Sequence, residues 1–231
     1  MKDFSALEAT LGYHFTNQEL LKQALVHRSY LNENPGFSLA HNERLEFLGD
    51  AVLELVVTDY LFRKFPNPEG ELTNWRAALV NAIMLAGIAS RLGLEHYLYL
   101  SRGESKDVGS KARQYILANA IEAVIGAVYL DGGLTAAATL IHQHVLVELP
   151  AVLSAKSYLD PKSRFQELAQ EKYGSTPTYL VLDEHGPDHA KIFRVGLYLG
   201  DELVAEGEGS SKQEAQVAAA EAGLQAKQWN I

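Results

Sequence analysis

The sequence predicts two domains in one chain: an all-α domain over residues 1–153, then an α-β-β-β-α domain over residues 160–229. Three observations carry that expectation. Up to about residue 152 the apolar residues recur at helical spacing. Around residues 153–160 the character changes: Ala155-Lys156-Ser157-Tyr158 reads as a short linker, and Asp160-Pro161 as a helix cap followed by Pro at the first helical position. Beyond it, three strand-like runs stand between two helical ones.

Taken in order, residues 17–26 put Leu20, Leu21, Ala24 and Leu25 on one face, with Thr16 as N-cap and Glu19 completing a capping box. His27-Arg28-Ser29-Tyr30-Leu31-Asn32-Glu33 follows, and Asn34-Pro35-Gly36 breaks the helix. The central helix spans about residues 42–64 and stops at Pro66-Asn67-Pro68. Its Leu45, Leu48, Val52 and Leu55 define one buried stripe. The next helix opens at Glu71-Leu72-Thr73 and carries Arg76 and Asn81; residues 98–110 read as a loop, and residues 111–130 as a buried helix. In the second domain a helix over residues 162–173 turns Phe165, Leu168, Ala169 and Tyr173 inward and ends at Gly174. Strands follow over residues 178–183, 192–199 and 202–206, with turns at Gly186-Pro187 and Gly200-Asp201. The last helix starts near Ser211, with Ser211 and Glu214 as a capping box and Ala215, Ala218, Ala219 and Ala222 on one face.

At 47% hydrophobic and 21% charged residues the chain is globular material, not a disordered segment. It has no cysteine, which excludes disulfides and thiolate metal sites and suits a reducing cytoplasm. The N-terminus lacks the apolar core of a signal peptide, and no run approaches the ~18 apolar residues of a membrane span. His142 and His144 do not share a helix face, and His185 and His189 flank Gly186-Pro187, so the sequence shows no zinc site. A net charge of −9 means that any surface for nucleic acid must be a local basic patch.

Two constellations carry chemistry. On the central helix, at about 100° per residue, Glu43 and Asp50 nearly eclipse and Glu46 lies about 60° away, so all three face one patch. Such crowding raises carboxylate pKa values unless a cation intervenes, and a hard divalent ion is the simple remedy. A solvated acidic face partnered by Arg44 is the plainer alternative. In residues 116–133, Asn119 and Glu122 are the polar breaks in the middle of an apolar helix, on one face. An ionised Glu there needs a metal or a partner on a neighbouring helix.

Glu43-Arg44-Leu45-Glu46-Phe47-Leu48-Gly49-Asp50-Ala51-Val52-Leu53 resembles the signature motif of ribonuclease III. The His27–Ser29 stretch and the leucine-threonine pair ahead of Arg76 are similar to the same family. The resemblance implies a double-stranded-RNA endonuclease that depends on magnesium, with manganese able to substitute. It leaves 5′-phosphate and 3′-hydroxyl ends in the processing of rRNA and other transcripts. It also implies that Glu46, Asn119 and Glu122 ligate the metal, that Asp50 and Glu122 are catalytic, and that Glu43 sits at the site's edge. The chain departs from the family at Asn119, where most members carry aspartate; an amide oxygen can ligate but brings no charge. The family also implies a homodimer, for which Phe47 is the candidate contact, and a cytoplasmic protein with no membrane partner.

The helix, three strands and helix of residues 160–229 resemble a double-stranded-RNA-binding domain. That likeness assigns RNA contacts to Gln166 and Glu167 on the first helix, to His189 in the loop after the first strand, and to Ser211 and Lys212 at the start of the last helix. The family usually has several lysines there; this chain has Lys212. Residues 157–231 hold seven Lys and Arg against twelve Asp and Glu, a net charge of −5, which predicts weak binding with a shallow salt dependence. The rival expectation is a non-catalytic RNA-binding protein on a decayed nuclease scaffold.

Overall fold

Side-chain caps set where most helices of the first unit begin. The structure is a computed structural model and describes residues 2–107, 109–155, 161–187 and 191–229. The chain divides into two compact units, residues 1–155 and 156–231. The first runs through α1 (Ser5–Leu11), α2 (Gln18–Ala24), α3 (Arg28–Glu33), α4 (Glu43–Lys64), α5 (Glu69–Val80), α6 (Ala82–Arg91), α7 (Arg102–Lys106), α8 (Lys111–His144) and α9 (Leu149–Ala155). Asn17, His27, Asn81, Ser101 and Ser110 each accept a backbone N–H from the first turn of the helix they precede. The cap of α2 is thus Asn17 rather than Thr16, and Asn81 lies at the junction of α5 and α6 rather than within a helix.

α8 is the axis of this unit. Leu117, Ala120, Ile121, Ala123, Val124, Ile125, Ala127 and Val128 are all buried, as expected of a helix that is apolar on nearly every side. The stretch Lys111–Ser154 would pass for a membrane span by length and hydropathy, but its apolar middle is the core of this bundle. The helix does not stop at Leu130. It continues to a break at Gly133, whose φ is 75°, and resumes to His144. Asp131 accepts hydrogen bonds from the backbone N–H groups of Thr16 and Asn17 and from the Tyr13 hydroxyl, each at 2.8 Å. Those bonds hold its pKa low although burial opposes them, and they tie the start of α2 to α8.

α4 crosses α8 where two glycines meet. A Cβ on Gly49 would collide with the Glu122 carbonyl, and one on Gly126 with the Leu45 carbonyl. The two backbones therefore touch, and only glycine on both sides permits it. Of the expected α4 stripe, Leu45 and Val52 are buried, but Leu55 is 57% exposed because the buried face turns to Leu53, Val56 and Val57. Residues 98–110, expected as loop, include the short α7; buried Arg113 donates to the carbonyls of Glu104 and Asp107 and pins that segment.

The second unit comprises α10 (Pro161–Tyr173), β1 (Thr178–His185), β2 (Ile192–Leu199), β3 (Glu202–Gly209) and α11 (Lys212–Ala226). Its antiparallel sheet has the order β1-β2-β3, with β1 and β3 longer than expected and irregularities near Leu182 and Tyr198. Val195 and Leu197 face Phe165, Leu168 and Ala169 of α10 and Ala215, Ala219, Ala220 and Leu224 of α11. Tyr173 is 59% exposed rather than inward, and Trp229 fills the end of that core. The α11 face also rotates: Ala215, Ala219, Ala220 and Gly223 are buried, while Ala218 and Ala222 are half-buried. The expected linker residues Lys156, Ser157 and Tyr158 and the expected cap Asp160 lie outside the described residues.

Candidate active site

The Gly49–Gly126 crossing brings the two polar constellations together. Glu122 stands one turn before Gly126 on α8; Glu46 and Asp50 flank Gly49 on α4. Burial, then the charges of Asp50 and Glu46, pushes Glu122 up to about 7. Burial, then the charges of Glu43 and Asp50, raises Glu46, and a hydrogen bond with Asn119 works against that rise. Glu46, Asp50, Asn119 and Glu122 therefore share one electrostatic site. Glu43 sits at its exposed margin, 3.6 Å from Arg28 and 3.7 Å from His41.

Several supports were not visible as site residues in the sequence. Buried Asn42 donates its side-chain amide to the Ala24 carbonyl and its backbone N–H to the Val26 carbonyl, fixing the start of α4. His27 Nδ1 lies 2.8 Å from the Ser29 hydroxyl, whose oxygen accepts from the Ser101 N–H. Burial holds His27 below the usual histidine range. Arg76, placed in the family-like stretch, pairs with Glu54 at 2.9 Å and leaves the carboxylate cluster to the residues above.

The donor set consists of hard oxygens crowded enough to repel one another, which is the environment a hard divalent cation relieves. Among the described residues no three His, Cys, Asp or Glu side chains are already converged as a metal cage. One member of the expected trio is an amide, so the set offers Glu46 and Glu122 as anions and Asn119 as a neutral oxygen. The residues fit a cation held by few anionic ligands.

In the second unit Gln166 and Glu167 are exposed on α10, with Glu167 3.6 Å from Arg164. Ser211 caps α11 by accepting the Glu214 N–H at 3.1 Å, which leaves its O–H to donate outward. Lys212 is exposed, its ammonium 5.8 Å from the Phe193 ring centre; Lys191 approaches the same ring at 6.0 Å and pairs with Glu184. Lys191 is a second cation beside Lys212 that helical and strand patterning did not single out. His189 lies outside the described residues.

Residues 17–149 match the family model described as ribonuclease-III-like, and residues 161–227 match that of the double-stranded RNA binding motif. The chain belongs to the ribonuclease III family. It is 43% identical to Ribonuclease 3 of Dehalococcoides mccartyi over 97% of this chain and 95% of that one. It is 45% identical to Ribonuclease 3 of Carboxydothermus hydrogenoformans over 95% and 94%. The nuclease domain of ribonuclease III from Campylobacter jejuni, described with flexibility in a region involved in dimer formation, matches with a TM-score of 0.58 at 42% identity. It covers 64% of this chain and 99% of its own. A ribonuclease III nuclease unit thus precedes a double-stranded-RNA-binding unit, and the chain is an endoribonuclease of double-stranded RNA. Enzymes of this family are metal-dependent.

Proposed function

We propose that the chain is a magnesium-dependent enzyme whose hydrolytic centre is the carboxylate patch at the α4–α8 crossing. Manganese serves as substitute. The observation that carries this reading is the mutual repulsion of Glu46, Asp50 and Glu122, with Glu122 pushed up to about 7. Bound there, a divalent ion would offset charge on the phosphate oxygens and lower the pKa of water. Glu46, Asn119 and Glu122 would hold it. Asp50 accepts a hydrogen bond from the attacking water and aims its oxygen at phosphorus. The new P–O bond forms as the water gives its proton to Asp50 and the bond to the 3′ oxygen breaks; that oxygen takes a proton from a solvent water, leaving a 3′-hydroxyl and a 5′-phosphate. Gln166, Glu167, His189, Ser211 and Lys212, all in an RNA-binding domain over residues 160–229, hold the duplex for a catalytic domain over residues 1–153.

The reading includes a homodimer cutting both strands. Phe47 is 80% exposed and so is not a core aromatic; Leu55 and Phe62, 57% and 75% exposed, continue the same side of α4. A second copy covering this stripe explains why an apolar row faces outward, and the dimer-forming region described for the Campylobacter jejuni domain supports it. We place the enzyme in the cytoplasm, acting on rRNA, mRNA and tRNA precursors. The test is long duplex RNA incubated with protein in magnesium or in EDTA, with the product ends mapped. Cutting in magnesium alone, with 5′-phosphate ends, is the expected result. Shifted but uncut RNA in both would instead identify a non-catalytic binding protein.

A further inference from the structure

We propose that Tyr115, with Lys111 behind it, is a substrate-positioning track that sets where the RNA strand is cut. The inference rests on the reading of the α4–α8 crossing as the hydrolytic centre. Residues 111, 115, 119 and 122 are spaced by four, four and three along α8, so they share a stripe within about 80° of arc. At about 1.5 Å of rise per residue, Tyr115 stands about 6 Å along the axis from Asn119 and about 10 Å from Glu122; Lys111 lies about 6 Å further out.

The two ends of the stripe differ. Toward Gly126 the contact with α4 closes it, since the backbones touch there. Toward the start of α8 it opens: Tyr115 is 51% exposed and Lys111 is exposed as well. A strand held with one phosphate at the carboxylates therefore has a free path over Tyr115 and Lys111. Among the described residues, the Tyr115 ring has no aromatic partner and its hydroxyl no hydrogen bond, and Lys111 has no ion pair. Half of this large aromatic is thus left open to solvent along α8 from the acidic site.

Its chemistry suits the place. Glu43, Glu46, Asp50 and Glu122 repel a phosphate, so a neighbouring contact must attract it without adding negative charge. A neutral phenol does so by donating its O–H to a non-bridging phosphate oxygen. Bases inside a duplex are stacked and unavailable to the ring, whereas riboses line the wide minor groove, so the ring lies against a sugar. Lys111 then meets a further phosphate as a point charge. Tyr115 thus fixes the distance along the strand from a held sugar to the bond that is cut.

The test uses the full chain on an end-labelled duplex with one dominant cut, in magnesium and in EDTA, for wild type, Tyr115→Phe, Tyr115→Ala and Lys111→Ala. Tyr115→Ala is expected to lower kcat about tenfold and to spread cleavage onto neighbouring bonds, with duplex binding in EDTA nearly unchanged. Tyr115→Phe keeps the cut position and loses only a few-fold in kcat; Lys111→Ala raises KM a few-fold. If Tyr115→Ala cuts the same single bond within two-fold of wild type, the proposal is overturned. So it is if the rate falls with no change of position and Phe does not restore it, since that marks a structural residue. Should the Ala variant fail to fold, Tyr115→Phe with kcat equal to wild type overturns the hydroxyl contact. Wild-type cutting that persists in EDTA would overturn the underlying metal-site reading instead.

Discussion

The two units hold charge in opposite ways. In the first, carboxylates are pressed against one another by a backbone-to-backbone helix crossing, and burial drives Glu122 up to about 7. In the second, the candidate contacts Gln166, Glu167 and Lys212 are exposed, within a stretch whose net charge is −5. Crowded buried charge is expensive and persists where chemistry needs it; exposed polar residues need only be in reach of a groove. Rate should therefore be concentrated in a few residues of the first unit and affinity spread thinly over the second.

The sharpest way to break that contrast is Glu122→Gln, which keeps shape and an oxygen and removes the charge. The expected loss in cleavage rate is three powers of ten or more, about 4 kcal/mol of transition-state stabilisation, with duplex binding close to wild type. Rate and binding constant measured on the same labelled duplex decide it; a variant cutting within a few-fold of wild type places the metal elsewhere. The same residue governs pH dependence. Its folded pKa of about 7 lies above its ordinary value of 4.5, so the metal-free fold holds that proton more tightly than the unfolded chain does. This contribution to stability is full below pH about 4.5 and is lost as pH rises through about 7. Metal-free Tm should fall over that window, and Glu122→Gln should flatten the curve; a Tm that rises instead contradicts the buried-carboxylate picture.

Next in size is removal of the second unit by truncation near residue 155. The first unit has its own core, so the fragment should fold and sediment as a dimer through the Phe47 stripe. It should still cut duplex RNA at low salt, with apparent affinity about a hundredfold poorer. A monomeric fragment sinks the dimer assignment, and one inert at low salt and high enzyme concentration sinks the division of labour.

What was legible in the sequence follows from the range of each interaction. The extent of α4 and its stop at the prolines, the β2 span and the inward set Phe165, Leu168 and Ala169 are local periodic patterns, and patterns survive without knowledge of partners. Periodicity places Leu55 in the buried stripe because it counts an apolar residue without saying what covers it. Thr16 and Asn17 are both competent caps; Asn17 serves because its Oδ1 accepts the Glu19 N–H, with both backbone N–H groups held by Asp131, more than a hundred residues away. Arg113 gave no signal because its acceptors are backbone carbonyls. In the site, helical angles alone grouped Glu43, Glu46 and Asp50, but that α4 faces α8 through two glycines is a tertiary fact that neither helix encodes by itself.

A smaller effect sharpens the first unit's side. Asn119 opposes the raised pKa of Glu46 by a hydrogen bond while adding no charge. Asn119→Asp places an anion where a neutral oxygen stood, so the magnesium needed for half-maximal rate should fall several-fold. Metal-induced Tm shifts should move in the same direction. An unchanged requirement would mean that Asn119 orients Glu46 or a water rather than touching the ion.

Lys212→Ala should give the smallest change, and the one most diagnostic of the second unit. Lys212 heads α11 on the exposed surface, with Ser211 already committed to capping and Lys191 partly neutralised by Glu184. If its ammonium rests on a phosphate, losing it releases about one fewer counterion, and the slope of log affinity against log salt should fall by about 1. The loss should be a few-fold and uniform across duplex sequences, because a phosphate contact positions without reading bases. kcat at saturating RNA should stay at the wild-type value, since the carboxylates belong to the other unit. Binding titrations at several salt concentrations on two unrelated duplexes measure both quantities. An unchanged slope would remove Lys212 from the phosphates, and a sequence-dependent loss would make this a reading surface rather than a holding one.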